Sequence, residues 1–485
     1  MRAGDGRKTH TDTHSFFFLN APISLNKTRT SHTPHIMDAS ADKYTIVVKL
    51  GSSSIVDDTT REPRMANITQ VVESLVKLRR QGHKVGLVSS GAIAMGLNET
   101  QMKKKPKRLA AKQALAALGQ GKLISLWDNM FRYFNQQTAQ ILLTRNDIVD
   151  FSQFKNAENT LIELLNMGII PIVNENDTIS TQEIKFGDND TLSAITAGMV
   201  SADYLFLLTD VDCLYTDNPR VNPDAKKVLI VENLSSLNVN TKGGAGSSVG
   251  TGGMETKLIA ADLATNAGIT TVICNSNHPK NMLDIVQYSH VHDSEFRNKD
   301  VMEDAETETE TEKEVDEEGS GSQEAFDAKN VQEEAKLQAL GIPLHTRFLG
   351  QPRNHVKNKQ FWLLHGLKPK GSLVVDYGCF LAITRQNRAG LLPVGVIAVE
   401  GNFHQLECVD IRLGFKGVSK TVSFGRGRCN YSAAESDRVK GLQSDEVAKL
   451  LEYCDSEYLV HRENLAFPLH WDNELMDFIK ENVKN

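Results

Sequence analysis

Cysteine, aromatic residues and long apolar runs are all scarce in this chain of 485 residues. The six cysteines, at positions 213, 274, 379, 408, 429 and 454, have no CxxC spacing, which argues against a zinc cage and against a disulfide framework. A reducing compartment, the cytoplasm, fits that usage. No apolar stretch approaches the ~18 residues needed to cross a bilayer, so no membrane role is expected. Ser–His–Asp and Cys–His arrangements are missing. His83, at a helix–strand turn, reads as a solvated loop residue, and Cys213 and Cys274 read as small apolar packing residues. A P-loop is excluded as well, because no glycine directly precedes Lys257 in the glycine-rich run KGGAGSSVGTGGMETK.

What remains is an ordinary globular composition, 40% hydrophobic and 24% charged, in a chain long enough for two or three domains. The net charge of −7 misleads, because residues 303–318, EDAETETETEKEVDEE, carry ten carboxylates and one lysine. That run accounts for −9, and the rest of the chain sums to +2. No general electrostatic field for nucleic acid results, nor is there a basic, aromatic-rich stripe. Residues 1–42 read as a disordered extension rich in Thr, His and Ser. A mitochondrial transit peptide is the alternative, weakened by Asp5 and Asp12, and Met37 offers a second possible start.

From about 43 to 295, apolar runs alternate with helical patterns. YTIVVKL, KVGLVS, AQILLT, IIPIV, YLFLLT and TTVIC read as strands buried on both faces. Ile68, Val71, Val72, Leu75 and Val76 recur at helical spacing, and Gly82 closes that helix. The alternation predicts an α/β fold, an open, mostly parallel sheet sandwiched by helices, with ligands beyond the carboxyl ends of the strands. Residues 296–358 read as a linker holding the acidic insertion. Residues 359–470 read as a small β-rich domain, from GSLVVDYG, LLPVGVIAVEG, QLECVDIRL and VSKTVSFG.

Four features at strand ends carry chemistry. Lys49, in IVVKLGSSS, either snorkels from the sheet edge or meets a negative partner, and the serines and Gly51 after it offer donors to phosphate oxygens. SSGAIAMG, which includes Ser90, is an anion-binding helix start or a tight packing turn. NENDTIS and FGDNDTLSA concentrate Asn174, Asp177, Asp188, Asn189 and Asp190, which either grip an amino group, position Mg²⁺ or orient a lysine, or serve as Asx turns and caps. LLTDVDCLYTDNPR places Thr209 and Asp210 before an irregular loop, where a nucleotide or only solvent would fit.

In this order, KLGSS, SSGAIAMG, NEND, GDND, LLTDVD and GTGGMETK resemble the glutamate 5-kinases of the amino-acid kinase family, over about 44–276. The C-terminal part resembles a PUA domain. Cys213 departs from the glycine common at that place in the wider family.

The resemblance implies ATP-dependent phosphorylation of the L-glutamate γ-carboxylate, the first step of proline biosynthesis. It implies Lys49, Lys257 and Asp190 as catalytic residues, with Ser90, Asn174, Asp177 and Asn189 binding substrate. Lys49, Thr209, Asp210, Thr251, Gly252, Gly253, Met254, Glu255, Thr256 and Lys257 would hold ATP, and Mg²⁺ would come with it on no assigned protein ligand. A glutamyl phosphate reductase partner, proline as feedback inhibitor, a homo-oligomer and RNA binding by the PUA-like domain are further expectations from the family. Only about 210 residues follow the kinase region, so a kinase without a fused reductase is expected. Acetylglutamate, aspartate or uridylate kinases, and an RNA-binding PUA protein, are the competing readings.

Overall fold

The computed structural model describes residues 43–102, 104–179, 189–232, 234, 237, 253–289, 291–292, 323–350, 358–385, 389–451, 456–468, 471 and 473–483. The N-terminal extension and the acidic run 303–318 lie outside the described residues.

The first half runs β1 (Thr45–Leu50), α1 (Met65–Arg80), β2 (Lys84–Ser89), α2 (Ala92–Glu99), α3 (Leu109–Arg132), β3 (Thr138–Leu143), α4 (Phe151–Asn166) and β4 (Ile170–Glu175). It continues through α5 (Asn189–Met199), β5 (Tyr204–Thr209), β6 (Ile230–Val231), α6 (Met254–Thr265) and β7 (Thr270–Asn275). Two more elements, α7 (Gln323–Leu340) and β8 (Thr346–Phe348), complete one sheet in the order β3-β4-β2-β1-β5-β7-β8-β6. All pairings are parallel except β7 with β8. The Val/Ile/Leu runs bury both faces of the central strands, as in β1, where every residue from Ile46 to Leu50 is buried. The chain builds outward from β1 on one side and then crosses back to β5, so β1 and β5 flank the topological switch point.

Two expectations need correction. AQILLT is not buried on both faces: β3 is an edge strand, and among its residues only Leu143 is buried. Residues 323–350 are not linker. Asn330 Oδ1 on α7 accepts the backbone N–H of Leu229 at 2.6 Å, and β8 is the strand between β6 and β7. Arg347 of β8 is fully buried, with Nη2 2.6 Å from Glu333 Oε1 on α7. The periodicity of α7 is too weak to mark a packed helix from sequence, because its anchoring is polar.

The C-terminal part forms a five-stranded mixed sheet from β9 (Gly371–Val375), β10 (Val396–Gly401), β11 (Cys408–Leu413), β12 (Val422–Arg428) and β13 (Leu465–Ala466). Helix α8 (Asn473–Val483), beyond the expected end at 470, buries Leu475 and Phe478 in the same core. A short segment, Trp362–Gly366, joins this sheet to the first domain. Trp362 is buried, its Nε1 donates to Ile148 O at 2.7 Å, and Arg428 of β12 lies over its ring at 5.5 Å. Cys213 and Cys274 are buried among apolar side chains, which pushes their thiols up to about 12. Among the described residues no helix is long and apolar enough to cross a membrane.

Candidate active site

Lys49 occupies the penultimate position of the central strand, between Val88 of β2 and Leu207 of β5. It is 5% exposed, so its ammonium cannot snorkel into water and requires a buried negative partner. Asp190, at the start of α5, is that partner: Lys49 Nζ lies 2.5 Å from Asp190 Oδ1. A carboxylate in a helix's first turn is also favoured by the N–H groups that open there. Lys257, on the fourth residue of α6, approaches the other carboxylate oxygen, with Nζ 3.2 Å from Asp190 Oδ2. Thr256 Oγ1 is 2.9 Å from the same oxygen and accepts the backbone N–H of Gly253 at 3.1 Å. Burial by itself pushes the Asp190 carboxyl up, but the two ammonium groups and Thr256 overcome it and hold the group at about 2.

A neutral network starts one residue earlier on α5. Asn189 Nδ2 donates to Ser90 Oγ at 2.7 Å and to Asn174 Oδ1 at 2.9 Å. Asn174 Nδ2 donates to Gln120 Oε1 at 2.8 Å, and the Glu175 backbone N–H donates to Asn174 Oδ1 at 2.9 Å. Asn189 Oδ1 is buried and has no hydrogen-bond partner among the described residues. Consecutive residues at one helix start thus belong to a charged cluster on one side and an amide cluster on the other. The first can neutralise a transferring phosphoryl group, and the second can hold a small polar acceptor beside it.

Lys49, Lys257, Asp190, Ser90, Asn174 and Asn189 therefore come together. Asp177 lies just past β4, half-buried, with its backbone N–H donating to Glu175 O at 2.9 Å. Thr209 ends β5, and Asp210 is paired with Arg220 at 2.8 Å. Gly253 caps α6, Glu255 is exposed, and Met254 packs against the apolar core. Thr251, Gly252 and Asp188 lie outside the described residues. At Gly51, an added Cβ would lie 3.8 Å from Lys49 Nζ and 4.0 Å from Ser53 Oγ, ordinary contact distances.

Sequence reading missed Gln120. It stands in a helix rather than at a strand end, and its only signal is the pair of glycines flanking it.

The amino acid kinase family matches residues 44–275 and the PUA domain matches residues 371–451. A probable glutamate 5-kinase of Schizosaccharomyces pombe is 49% identical over 87% of this chain and 93% of its own length. A glutamate 5-kinase of the cyanobacterium Rippkaea orientalis is 39% identical over 87% of this chain and 99% of its own length. The uncharacterized protein YHR033W of Saccharomyces cerevisiae is 49% identical over 88% of this chain and 98% of its own.

Proposed function

This chain belongs to the amino acid kinase family, among its glutamate 5-kinases, and we propose that it transfers the γ-phosphoryl group of ATP to the side-chain carboxylate of L-glutamate. The observation that carries the proposal is the meeting of the Lys49–Asp190–Lys257 cluster and the Ser90–Asn189–Asn174 cluster at the start of α5.

A γ-carboxylate oxygen attacks the γ-phosphorus in line. The bond from that phosphorus to the bridging oxygen breaks, and ADP departs with the electron pair. The acceptor is already ionised near neutral pH, so no general base is required. The demand is for positioning and for neutralising charge that spreads over the phosphoryl oxygens. Lys49 and Lys257 meet that demand, and Asp190 keeps two like charges close together in a buried site. Asp177 and Asn189 Oδ1 suit the substrate ammonium, and Ser90 suits a carboxylate. Thr209, Asp210 and the 251–257 loop would hold the nucleotide. Mg²⁺ would arrive on the phosphate oxygens: among the described residues no group of three His, Cys, Asp or Glu is placed to hold a metal ion, and both Asp190 oxygens are engaged. Bound there, it would neutralise phosphate charge.

The product is a labile acyl phosphate on the way to proline, so a reductase that consumes it, feedback inhibition by proline, a homo-oligomer and a cytoplasmic location belong to the same reading. RNA binding through the PUA domain is left outside it. Arg426 Nη1 is bound to the backbone carbonyls of Leu364 and Leu367, and Arg428 stacks on Trp362, so these two cations are used within the chain.

Growth of a proline-requiring strain that lacks glutamate 5-kinase, restored by this chain, tests the reading in cells. ADP release by the purified protein with glutamate, N-acetylglutamate, aspartate and UMP tests it in solution. Turnover of one of the last three acceptors with none of glutamate would sink it.

A further inference from the structure

Helices α2 and α3 touch backbone to backbone. A Cβ on Gly119 would lie 1.8 Å from Ala92 O, and one on Gly96 would lie 2.1 Å from Leu115 O, so no side chain fits at either crossing point. This close approach brings the next residue, Gln120, against the end of β4. There its Oε1 accepts from Asn174 Nδ2 at 2.8 Å.

The direction of every later bond follows from the Glu175 backbone N–H, which can only donate and so takes the amide oxygen of Asn174, and Gln120 supplies the acceptor that the Asn174 NH2 then requires. With its NH2 turned to Gln120, Asn174 presents Oδ1 to Asn189, and the Glu175 backbone N–H holds the same oxygen at 2.9 Å. The NH2 of Asn189 is then fully used, by Asn174 and by Ser90 Oγ. Its Oδ1 is left as a buried acceptor without a partner among the described residues. Ser90 Oγ, having accepted one hydrogen bond, keeps its own proton to donate. A chain of amides running the other way would turn an NH2 toward an incoming ammonium and repel it.

We propose that Gln120 is a positioning residue for the amino-acid acceptor. By accepting from the Asn174 NH2, it holds in place the polarity that the Glu175 N–H imposes on the Asn174–Asn189–Ser90 chain, so that the site presents an acceptor oxygen to a free α-ammonium group and a hydroxyl proton to a carboxylate. An N-acylated acceptor has no charge on that nitrogen and carries a carbonyl oxygen that would oppose Asn189 Oδ1, so the same polarity selects against it. The proposal rests on the glutamate reading above.

The test uses the full chain, with ADP release measured against glutamate at saturating ATP and against ATP at saturating glutamate. Gln120→Leu removes the acceptor and strands a buried N–H of Asn174. Its glutamate KM is expected to rise about tenfold, the effect of one lost hydrogen bond to a buried group, while the ATP KM moves by less than about twofold. Gln120→Glu keeps an oxygen to accept from Asn174 and is expected to restore the glutamate KM to near wild type. A wild-type chain without glutamate turnover overturns both the reading and this proposal. Glutamate turnover in wild type, joined to an unchanged KM in Gln120→Leu, overturns the role of Gln120 alone. Should Gln120→Leu fail to fold, Gln120→Glu decides by itself: a glutamate KM raised tenfold or more means that the NH2 of Gln120 matters and the polarity argument fails, whereas a KM near wild type supports it.

Discussion

Lys49 and Asp190 form a buried ion pair of 2.5 Å between the end of the central strand and the start of α5. Neither side chain has water to fall back on, since the relative exposures are 6% and 0%. A pair of this kind is costly to assemble and costly to break, because removing one member leaves the other charge uncompensated. Lys257 makes the cluster net positive, a poor arrangement for stability alone and a suitable one for receiving a phosphoryl group.

The pH dependence of stability follows from that cluster. The Asp190 carboxyl is held at about 2 in the folded protein against an ordinary 3.8, so the unfolded chain binds its proton more readily. Asp190 therefore contributes fully above the ordinary value and progressively less as pH falls from about 4 through about 2, a contribution on the order of 2 kcal/mol. Urea unfolding measured across this range is expected to show the loss in wild type and a shallower slope in Asp190→Asn. Equal slopes would remove Asp190 as the source.

Lys257→Ala should leave a folded protein, since Asp190 retains Lys49 and Thr256, while kcat falls by at least about 10²–10³, as when a transition-state donor is removed. Circular dichroism and steady-state kinetics together check this. A kcat near wild type would contradict a role in transfer.

Asp177→Ala separates substrate from nucleotide. The glutamate KM is expected to rise by about tenfold or more, while the ATP KM changes little, because Asp177 lies on the β4 side of the site, with Asn174. Equal changes in both constants would count against contact with the amino acid.

Trp362→Ala addresses the junction between the domains. The indole is buried, donates to Ile148 O at 2.7 Å and packs at 4.7 Å from Phe151. Its loss should cost about 3–5 kcal/mol. Calorimetry is expected to resolve two transitions where wild type has one, and a single transition with unchanged midpoint would mean that the indole does not couple the domains.

The strands and the chemistry-bearing residues at their ends were legible because both signals are local. An apolar run such as YTIVVKL marks a buried strand, and a lysine closing it is conspicuous. Pairings were less legible. Lys49 and Lys257 could be joined only through resemblance, because nothing in either segment names Asp190 as their common partner. The return of residues 323–350 to the sheet is not legible, since Glu333, Arg347 and Asn330 look like surface residues until their buried hydrogen bonds are known. Gln120 had no legible sign beyond its flanking glycines.

By itself, the sequence determined the alternation of strands and helices, the open strand ends at the switch point, and the charged and amide residues available there. These depend on hydrophobic period and on side-chain identity, which neighbours in the chain already define. Tertiary structure alone decided that one carboxylate is shared by two lysines, that Asn189 and Asp190 divide α5 between two clusters, and that Gln120 accepts from Asn174 in one of them. Those outcomes depend on distances of about 3 Å between segments far apart in the chain. They come into being only when backbones close, as at Gly96 and Gly119, where the helices meet because no side chain holds them apart.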